Sequence, residues 1–104
     1  MNNQPVLSRM GIARRAGRLA VGTEKVTAAI KNGTAHLVLL ASDISPKTEK
    51  ELRFLARGKT EIIRIDADLT TMSAAIGIRA GIAAVTDGGL AEAIRKAGML
   101  NDEI

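Results

Sequence analysis

The sequence predicts an α/β fold, built as a three-layer α/β/α sandwich. Apolar segments of strand length alternate with segments of helical periodicity, and the connections between them are short. The most apolar segment, residues 37–41, shows no polar alternation, which is typical of a central strand covered by helices on both faces. Because every apolar strand face must be covered, we expect helices on both sides of the sheet.

The N-terminal segment predicts a helix followed by a short strand. Apolar residues recur near helical spacing over residues 5–16. Pro5 suits the first position of this helix, and Gly17 suits its end. Residues 19–21 then form the first strand.

A second helix is predicted over residues 23–31. Thr23 is expected to cap its first backbone N–H groups, and Asn32 with Gly33 ends it. The apolar run at residues 37–41 follows directly and should lie in the middle of the sheet.

The third helix begins at a strong local signal. Ser45 is a favourable cap, Pro46 suits the first helical position, and the apolar stripe of the helix stops before Gly58. The third strand is predicted at residues 62–65.

The C-terminal part predicts two helices and one strand. Asp68 caps a short helix that runs to Gly77, and residues 82–86 form a strand of small and β-branched residues. Asp87 opens the last helix, which Gly98 is expected to end.

Composition predicts one domain over residues 1–104, with a core over about residues 6–97 and a tail at residues 98–104. A chain of 104 residues with 46% apolar content can bury a core without disulfides or a metal. Cysteine is absent, and no apolar run reaches the ~20 residues of a membrane helix. We therefore expect a monomeric cytoplasmic protein with no cofactor, metal site or membrane contact.

Positive charge is concentrated in the N-terminal third. Residues 1–33 contain six Arg or Lys residues and one acid, Glu24, giving +5, whereas the rest of the chain sums to −1. A local excess of this kind suits a polyanion, but Arg and Lys are also ordinary surface residues. Charge alone leaves both interpretations open.

Catalytic and base-stacking arrangements are disfavoured. Phe54 is the only aromatic residue, which argues against modules that stack two or three bases on a sheet. His36, the sole histidine, has no nucleophile at a recognisable spacing. Asp43 and Asp87 each follow an apolar strand, but turn formation and helix capping explain them more simply than catalysis does. The sequence therefore predicts no catalytic residues and a protein that is not an enzyme.

Three segments together resemble one family: LSRMGIARRAGRL at residues 7–19, GTEKVTAAIKNG at residues 22–33 with the strand after it, and MSAAIGIRAGIAAVTD at residues 72–87. The chain is similar to the bacterial YlxQ-like proteins, within the kink-turn RNA-binding superfamily of ribosomal protein L7Ae. The resemblance implies a mixed four-stranded sheet and non-enzymatic binding of structured RNA, such as a kink-turn or ribosomal RNA, with the ribosome as a partner.

In that family the N-terminus of helix two enters the widened groove of the kinked RNA, where polar side chains touch sheared G·A pairs. The helix signature there is Asn-Glu, two further residues, then Lys. Aligned without a gap, Glu24, Lys25 and Ala28 take these places. A second register uses Thr23, Glu24 and Thr27. The lysine is missing from both registers, which removes a contact worth ~1–3 kcal/mol.

The resemblance and the local charge together predict an RNA-binding surface at the start of helix two and the loop before strand four. Its residues are Arg14, Arg18, Gly22, Thr23, Glu24, Lys25, Lys31, Ile78, Arg79 and Ala80. In the loop, Ile78 and Ala80 would pack under an extruded base while Arg79 reaches a phosphate, unless Ile78 is only core packing at the strand entrance.

The sequence leaves one alternative function open and disfavours another. One is a protein-interaction module that keeps the fold with weakened RNA binding, as the missing lysine would allow. A phospho-acceptor receiver domain is disfavoured, because no acidic pair ends the first strand to hold a metal ion.

Overall fold

A computed structural model describes residues 4–102 of the chain, in which helices and strands alternate. The elements are α1 Gln4–Arg15, β1 Leu19–Val21, α2 Thr23–Lys31, β2 Leu37–Leu40, α3 Pro46–Ala56, β3 Glu61–Arg64, α4 Leu69–Ile76, β4 Ile82–Val85 and α5 Gly88–Asp102. Every predicted element is present, and its bounds agree closely with the prediction except at the end of α5. The last residues of the predicted tail, 103–104, lie outside the described residues, as do residues 1–3.

The four strands form one mixed sheet in the order β1-β4-β2-β3. Strand β2 is parallel to β3, and β4 is antiparallel to both of its neighbours. Strands β1, β2 and β3 therefore end at the edge where β4 begins. We call this the carboxyl edge of the sheet, defined by Val21, Leu40, Arg64 and Ile82. The mixed four-stranded sheet is confirmed.

Two apolar cores lie on opposite faces of the sheet, as a three-layer sandwich requires. Helices α1, α4 and α5 cover one face, and α2 and α3 cover the other. The largest buried side chains of the first core are Met10, Leu37, Leu39, Met72, Val85 and Ile94. The second core contains Val26, Val38, Leu40, Leu52 and Ile62. Strand β2 is buried along its whole length, which confirms its central position.

The helix caps are confirmed for three of the four helices whose starts were assigned to capping residues. Side chains of Ser45, Asp68 and Asp87 accept hydrogen bonds from backbone N–H groups in the first turns of their helices, at 3.2, 2.8 and 2.9 Å. The prediction that Thr23 caps α2 is wrong. Because β1 ends at Val21, the turn falls on Gly22, whose φ of 95° favours glycine, and Thr23 becomes the first helical residue.

Helix α5 runs to Asp102, so the prediction that Gly98 ends it is also wrong. A Cβ placed on Gly98 would lie 3.9 Å from Val6 Cγ2, an ordinary packing distance between α5 and α1. A glycine costs an α-helix only about 1 kcal/mol. The packing of α5 against α1 therefore outweighs the cost of this glycine, and the helix continues past it.

Helices α1 and α4 approach each other closely at Gly11. A Cβ at this position would lie 2.8 Å from the backbone oxygen of Ala75, closer than a side chain tolerates. Because the obstacle is backbone rather than a movable side chain, the two helices would have to separate to admit any larger residue.

We predict opposite effects for the same substitution at two helical glycines. Gly11→Ala should lower the free energy of unfolding by about 1 kcal/mol, since a clash of ~1–3 kcal/mol outweighs the helix-propensity gain. Gly98→Ala should raise it by about 0.5–1 kcal/mol, since there is room for the methyl group. Denaturant unfolding of both variants measures the difference. Equal shifts would contradict the close approach of α1 and α4.

One arginine ties the loop after β2 to α3. The Arg64 guanidinium donates to the backbone oxygens of Ser42 and Ile44 at 2.6 and 3.1 Å, and it forms an ion pair with Glu49. Hydrogen bonds from Arg64, and next from Arg53, lower the pKa of the Glu49 carboxyl below its ordinary value of 4.5. Sequence patterns gave no signal for the contacts of Arg64, because its partners lie 15 to 22 residues away along the chain.

This pKa shift predicts how stability depends on acid. A carboxyl whose pKa is lower in the folded state stabilises the fold above its ordinary pKa, and that contribution is lost as the pH falls through the folded pKa. The free energy of unfolding of the wild type should therefore fall more steeply below about pH 4.5 than that of Glu49→Gln. Denaturant unfolding across this pH range is the measurement, and parallel curves would show that Glu49 is not part of the acid response.

Candidate RNA interface

The two regions that the sequence predicts as RNA contacts meet at the carboxyl edge. Gly22, just before α2, donates its backbone N–H to the oxygen of Ile82 at 2.9 Å. Ile82 is the first residue of β4 and directly follows the loop at residues 77–81. The pairing of β1 with β4 therefore holds the start of α2 beside that loop, although the two segments are distant in sequence.

The first turn of α2 is open to solvent. Thr23, Glu24 and Lys25 are exposed, while Val26 packs into the core and anchors the helix. No side chain caps this end within the described residues, in contrast to α3, α4 and α5. The first backbone N–H groups of a helix lack internal partners and carry a partial positive charge. This end of α2 can thus accept an anionic or hydrogen-bond-accepting ligand.

The structure favours one of the two registers for the helix signature. A shallow depression beside the start of α2 is lined by Gly22, Glu24, Lys25 and Ala28, together with Val21 and Thr23. Thr27 lies instead on the side of α2 that faces α3. All three positions of the ungapped register, Glu24, Lys25 and Ala28, line this depression, whereas the second register has two of its positions there, Thr23 and Glu24. Ala28 occupies the lysine position there.

The loop at residues 77–81 is held by specific hydrogen bonds. Ser73 in α4 accepts from the backbone N–H of Ala80 at 2.9 Å, and its hydroxyl donates to the Ala80 oxygen at 3.3 Å. Arg14 in α1 donates to the Ile76 oxygen at 3.1 Å, where α4 ends. Arg14 therefore lies at the base of this loop and also serves to fasten it.

The three predicted loop residues differ in exposure. Ile78 is 43% exposed, so the alternative that it is only core packing does not hold. Arg79 is also exposed. Ala80 is buried in the core between the sheet and α4, so it supports the loop from inside. An apolar side chain and a cation are thus what the loop presents to solvent.

Two predicted cations lie elsewhere. The backbone oxygen of Arg18 accepts a hydrogen bond from the backbone N–H of Thr86 at 2.9 Å. Arg18 therefore lies just before the start of β1, whereas Gly22 follows the end of that strand. Lys31 is the last residue of α2, about 12 Å along the helix from its start. Gly22, which precedes Thr23, Glu24 and Lys25, thus lies beside Ile82 and the loop that leads into it, and Arg14 contacts the base of that loop. Arg18 lies beside Thr86 at the other end of β4, and Lys31 lies at the far end of α2.

At the candidate interface, Lys25 and Arg79 form no ion pair with a carboxylate of the described residues. The ion pairs found within residues 4–102 join Arg53 and Arg64 to Glu49, and Arg95 to Glu61 and Glu92. Lys25 and Arg79 take part in none of them. Neither cation is held in an ion pair of the described chain, although Glu24 lines the same depression as Lys25, so both are available to a polyanion.

Other residues weighed as catalytic have structural partners. Asp43 accepts from the backbone N–H of Leu69 at 2.9 Å, next to the start of α4. Asp87 caps α5, and His36 is an exposed residue whose ring lies beside Gly88. None of the helices within residues 4–102 is long and apolar enough to cross a membrane.

Ser73 is the residue at this interface that sequence reasoning missed. A serine within a helix gives no signal of its direction, and its partner Ala80 lies beyond the end of the helix. The hydrogen bond from Arg14 to the end of α4 also could not be predicted, because it depends on how α1 and α4 pack against each other.

Comparison with known proteins identifies a family and several relatives for this chain. Residues 4–94 match the profile of the ribosomal protein L7Ae/L30e/S12e/Gadd45 family. The RNA-binding protein YlxQ of Enterococcus faecium is 38% identical over 52 residues, which cover 50% of each chain. The large ribosomal subunit protein eL8 of Haloquadratum walsbyi is 46% identical over 41 residues, covering 39% of this chain and 34% of that protein. The chain thus spans half or less of the length of these relatives.

Two solved structures share the whole fold. A Bacillus halodurans protein of unknown function is 29% identical with a TM-score of 0.81, covering 88% of this chain and 93% of that one. The 15.5kD RNA binding protein of Giardia lamblia has a TM-score of 0.75 over 92% of this chain and 87% of its own, at 17% identity. At that identity the second likeness concerns the fold alone.

Proposed function

The chain belongs to the ribosomal protein L7Ae/L30e/S12e/Gadd45 family, and on this basis we propose that it is a non-enzymatic RNA-binding protein. Its interface is the first turn of α2 together with the loop at residues 77–81. The observation that carries the proposal is the hydrogen bond from Gly22 to Ile82, because it joins these two exposed segments into one surface. We also propose that the protein acts as a cytoplasmic, single-domain monomer.

Each part of this surface has a distinct task in binding. The N–H groups at the start of α2 and the side chain of Lys25 attract phosphate or base-edge oxygens. Arg79, which is exposed in the loop at residues 77–81, supplies a second cation. Exposed Ile78 offers apolar surface to a base that has left its stack. Glu24 accepts from a donor such as a guanine edge.

Folded RNA fits this arrangement better than a regular duplex. A-form duplexes hide their base edges in a deep, narrow groove, and proteins read RNA chiefly at loops, bulges and distorted helices. We propose kink-turns as the RNA class, whether in ribosomal RNA or elsewhere. The relatives named for RNA binding and for the ribosome support this choice. Because Ala28 stands at the lysine position, the affinity is expected to be modest.

RNA binding should depend on Lys25 much more than on Arg18. Lys25→Ala should weaken binding of a kink-turn RNA roughly tenfold and reduce the salt dependence of binding by about one unit of slope, as expected for one lost phosphate contact. Arg18→Ala also removes one exposed cation, but away from the proposed interface, so it should change the affinity for the kink-turn RNA far less. Fluorescence anisotropy titrations at several salt concentrations measure both effects.

Thermal unfolding of both variants is the control, since neither side chain is buried. Equal losses for the two variants would move the interface away from α2. Absence of any RNA binding by the wild type at low salt would instead favour a protein-interaction module on this fold.

Restoring the missing lysine should strengthen binding. Ala28 is exposed in the depression beside Lys25, so Ala28→Lys places an ammonium on the proposed surface without disturbing the core. We expect affinity for a kink-turn RNA to rise roughly tenfold, within the ~1–3 kcal/mol of one such contact. Thr27→Lys is the matched control, because Thr27 faces α3. A larger gain for Thr27→Lys, or an equal gain on a straight duplex, would contradict the register and the RNA class.

A further inference from the structure

A groove runs along the side of α2 away from the depression, between α2 and α3. Thr23, Thr27 and Lys31 line it on the α2 side, and Thr48, Glu51 and Phe54 line it on the α3 side. We call it the α2–α3 groove. It begins at Thr23, which also lines the depression at the proposed RNA interface, and it ends at Lys31 and Phe54. The groove is therefore a continuous path from that interface toward the opposite edge of the sheet.

The far end of the groove opens into a basic pocket. Lys31 and Phe54 line both the groove and this pocket, to which Asn32, Arg57, Lys59 and Thr60 add polar groups. The pocket has three cations and no carboxylate in its lining. None of these cations belongs to an ion pair found within residues 4–102. Glu51 is the acidic side chain of the groove itself, and it lies between the two ends.

Phe54, the only aromatic residue of the chain, is 70% exposed at this pocket. Burial would normally be favoured for a side chain of this size. The guanidinium of Arg57 lies over the ring at 4.9 Å from its centroid. Arg57 itself has a left-handed backbone with φ of 48°, which is uncommon for a non-glycine residue. The end of α3 thus presents an aromatic ring backed by a cation, within reach of solvent.

We propose that the α2–α3 groove and its basic pocket bind a single-stranded segment that flanks the folded RNA, with one base stacked on Phe54. Lys31, Arg57 and Lys59 attract the phosphates of that segment, and Asn32 and Thr60 supply hydrogen bonds. The inference rests on the proposed function, because the strand enters the groove from the interface at the start of α2. It extends the RNA contact to Lys31, which the main surface does not include.

Charge and continuity favour RNA over an acidic protein segment as the occupant. Aromatic rings with neighbouring cations are the usual platform for single-stranded RNA, since any base can stack and the backbone is anionic. An acidic peptide would also meet the cations of the pocket, but it carries no base to stack on Phe54. The groove, moreover, connects the pocket to the start of α2. That connection makes one RNA molecule able to occupy both surfaces at once.

The test compares RNAs with and without a single-stranded extension. A kink-turn RNA, the same RNA with a short uridine extension on either end, and the extension alone are titrated by fluorescence anisotropy. The wild type should bind one extended RNA roughly tenfold more tightly than the unextended RNA. Phe54→Leu should lose that gain while binding the unextended RNA as the wild type does. Ile12→Leu, at an exposed apolar residue of α1 on the other face of the sheet, is the matched control and should keep the gain.

The outcomes separate this inference from the proposed function. If the unextended RNA binds in a Lys25-dependent way but neither extension adds affinity, the groove inference is overturned and the proposed function stands. The groove inference also fails if the gain survives Phe54→Leu, or if extended RNA gains nothing while polyglutamate binds in a Phe54-dependent way. If no RNA binds at all, both are overturned.

Discussion

The insertion of β4 between β1 and β2 is the constraint on which the rest of the molecule depends. Because β4 pairs antiparallel with both neighbours, its first residue lies where β1 and β2 end. Two backbone hydrogen bonds complete this edge: the N–H of Gly22 donates to the oxygen of Ile82, and the N–H of Ala41 donates to the oxygen of Gly81 at 2.8 Å. Three segments that are remote in sequence therefore meet there through backbone hydrogen bonds, and the side chains of Ser73 and Arg14 hold the loop at residues 77–81 in addition.

Charge is divided between two uses on this small domain. Arg53, Arg64 and Arg95 are held by carboxylates on α3, β3 and α5. The Arg64–Glu49 pair fastens β3 to α3 and the Arg95–Glu61 pair fastens α5 to β3, whereas the other two pairs lie within one helix. Lys25, Arg79 and the cations near Phe54 have no such partners in the described chain. A cation that is already paired has less to offer a phosphate, so the ion pairs show where a polyanion has little to gain.

Much of the fold could be predicted because its signals are local. Ser45, Asp68 and Asp87 act within one turn of their own helices, and the unbroken apolar run of β2 reports its burial directly. Features that depend on packing could not be predicted. Gly11 beneath Ala75, Arg64 on the loop after β2, and the passage of α5 through Gly98 each depend on a neighbour from another part of the chain.

The same limit applies to the candidate site. Its two segments could be found from the resemblance and the local charge, whereas their contact, the burial of Ala80 and the distance of Arg18 required the sheet topology. The two registers of the helix signature have the same spacing, so the sequence could not choose between them, and it was the structure that placed Ala28 in the depression and Thr27 in the groove toward α3.

The open start of α2 has a thermodynamic consequence for the protein itself. A capping side chain stabilises a helix by roughly a few tenths of a kcal/mol more than a glycine cap does, and Gly22 leaves the first N–H groups of α2 without a side-chain acceptor. A bound phosphate placed there would supply the missing acceptor, so ligand and helix would complete one another. By linkage, saturation with ligand would shift the folding equilibrium toward the native state. The free energy of unfolding would then be greatest when a ligand occupies this end of α2.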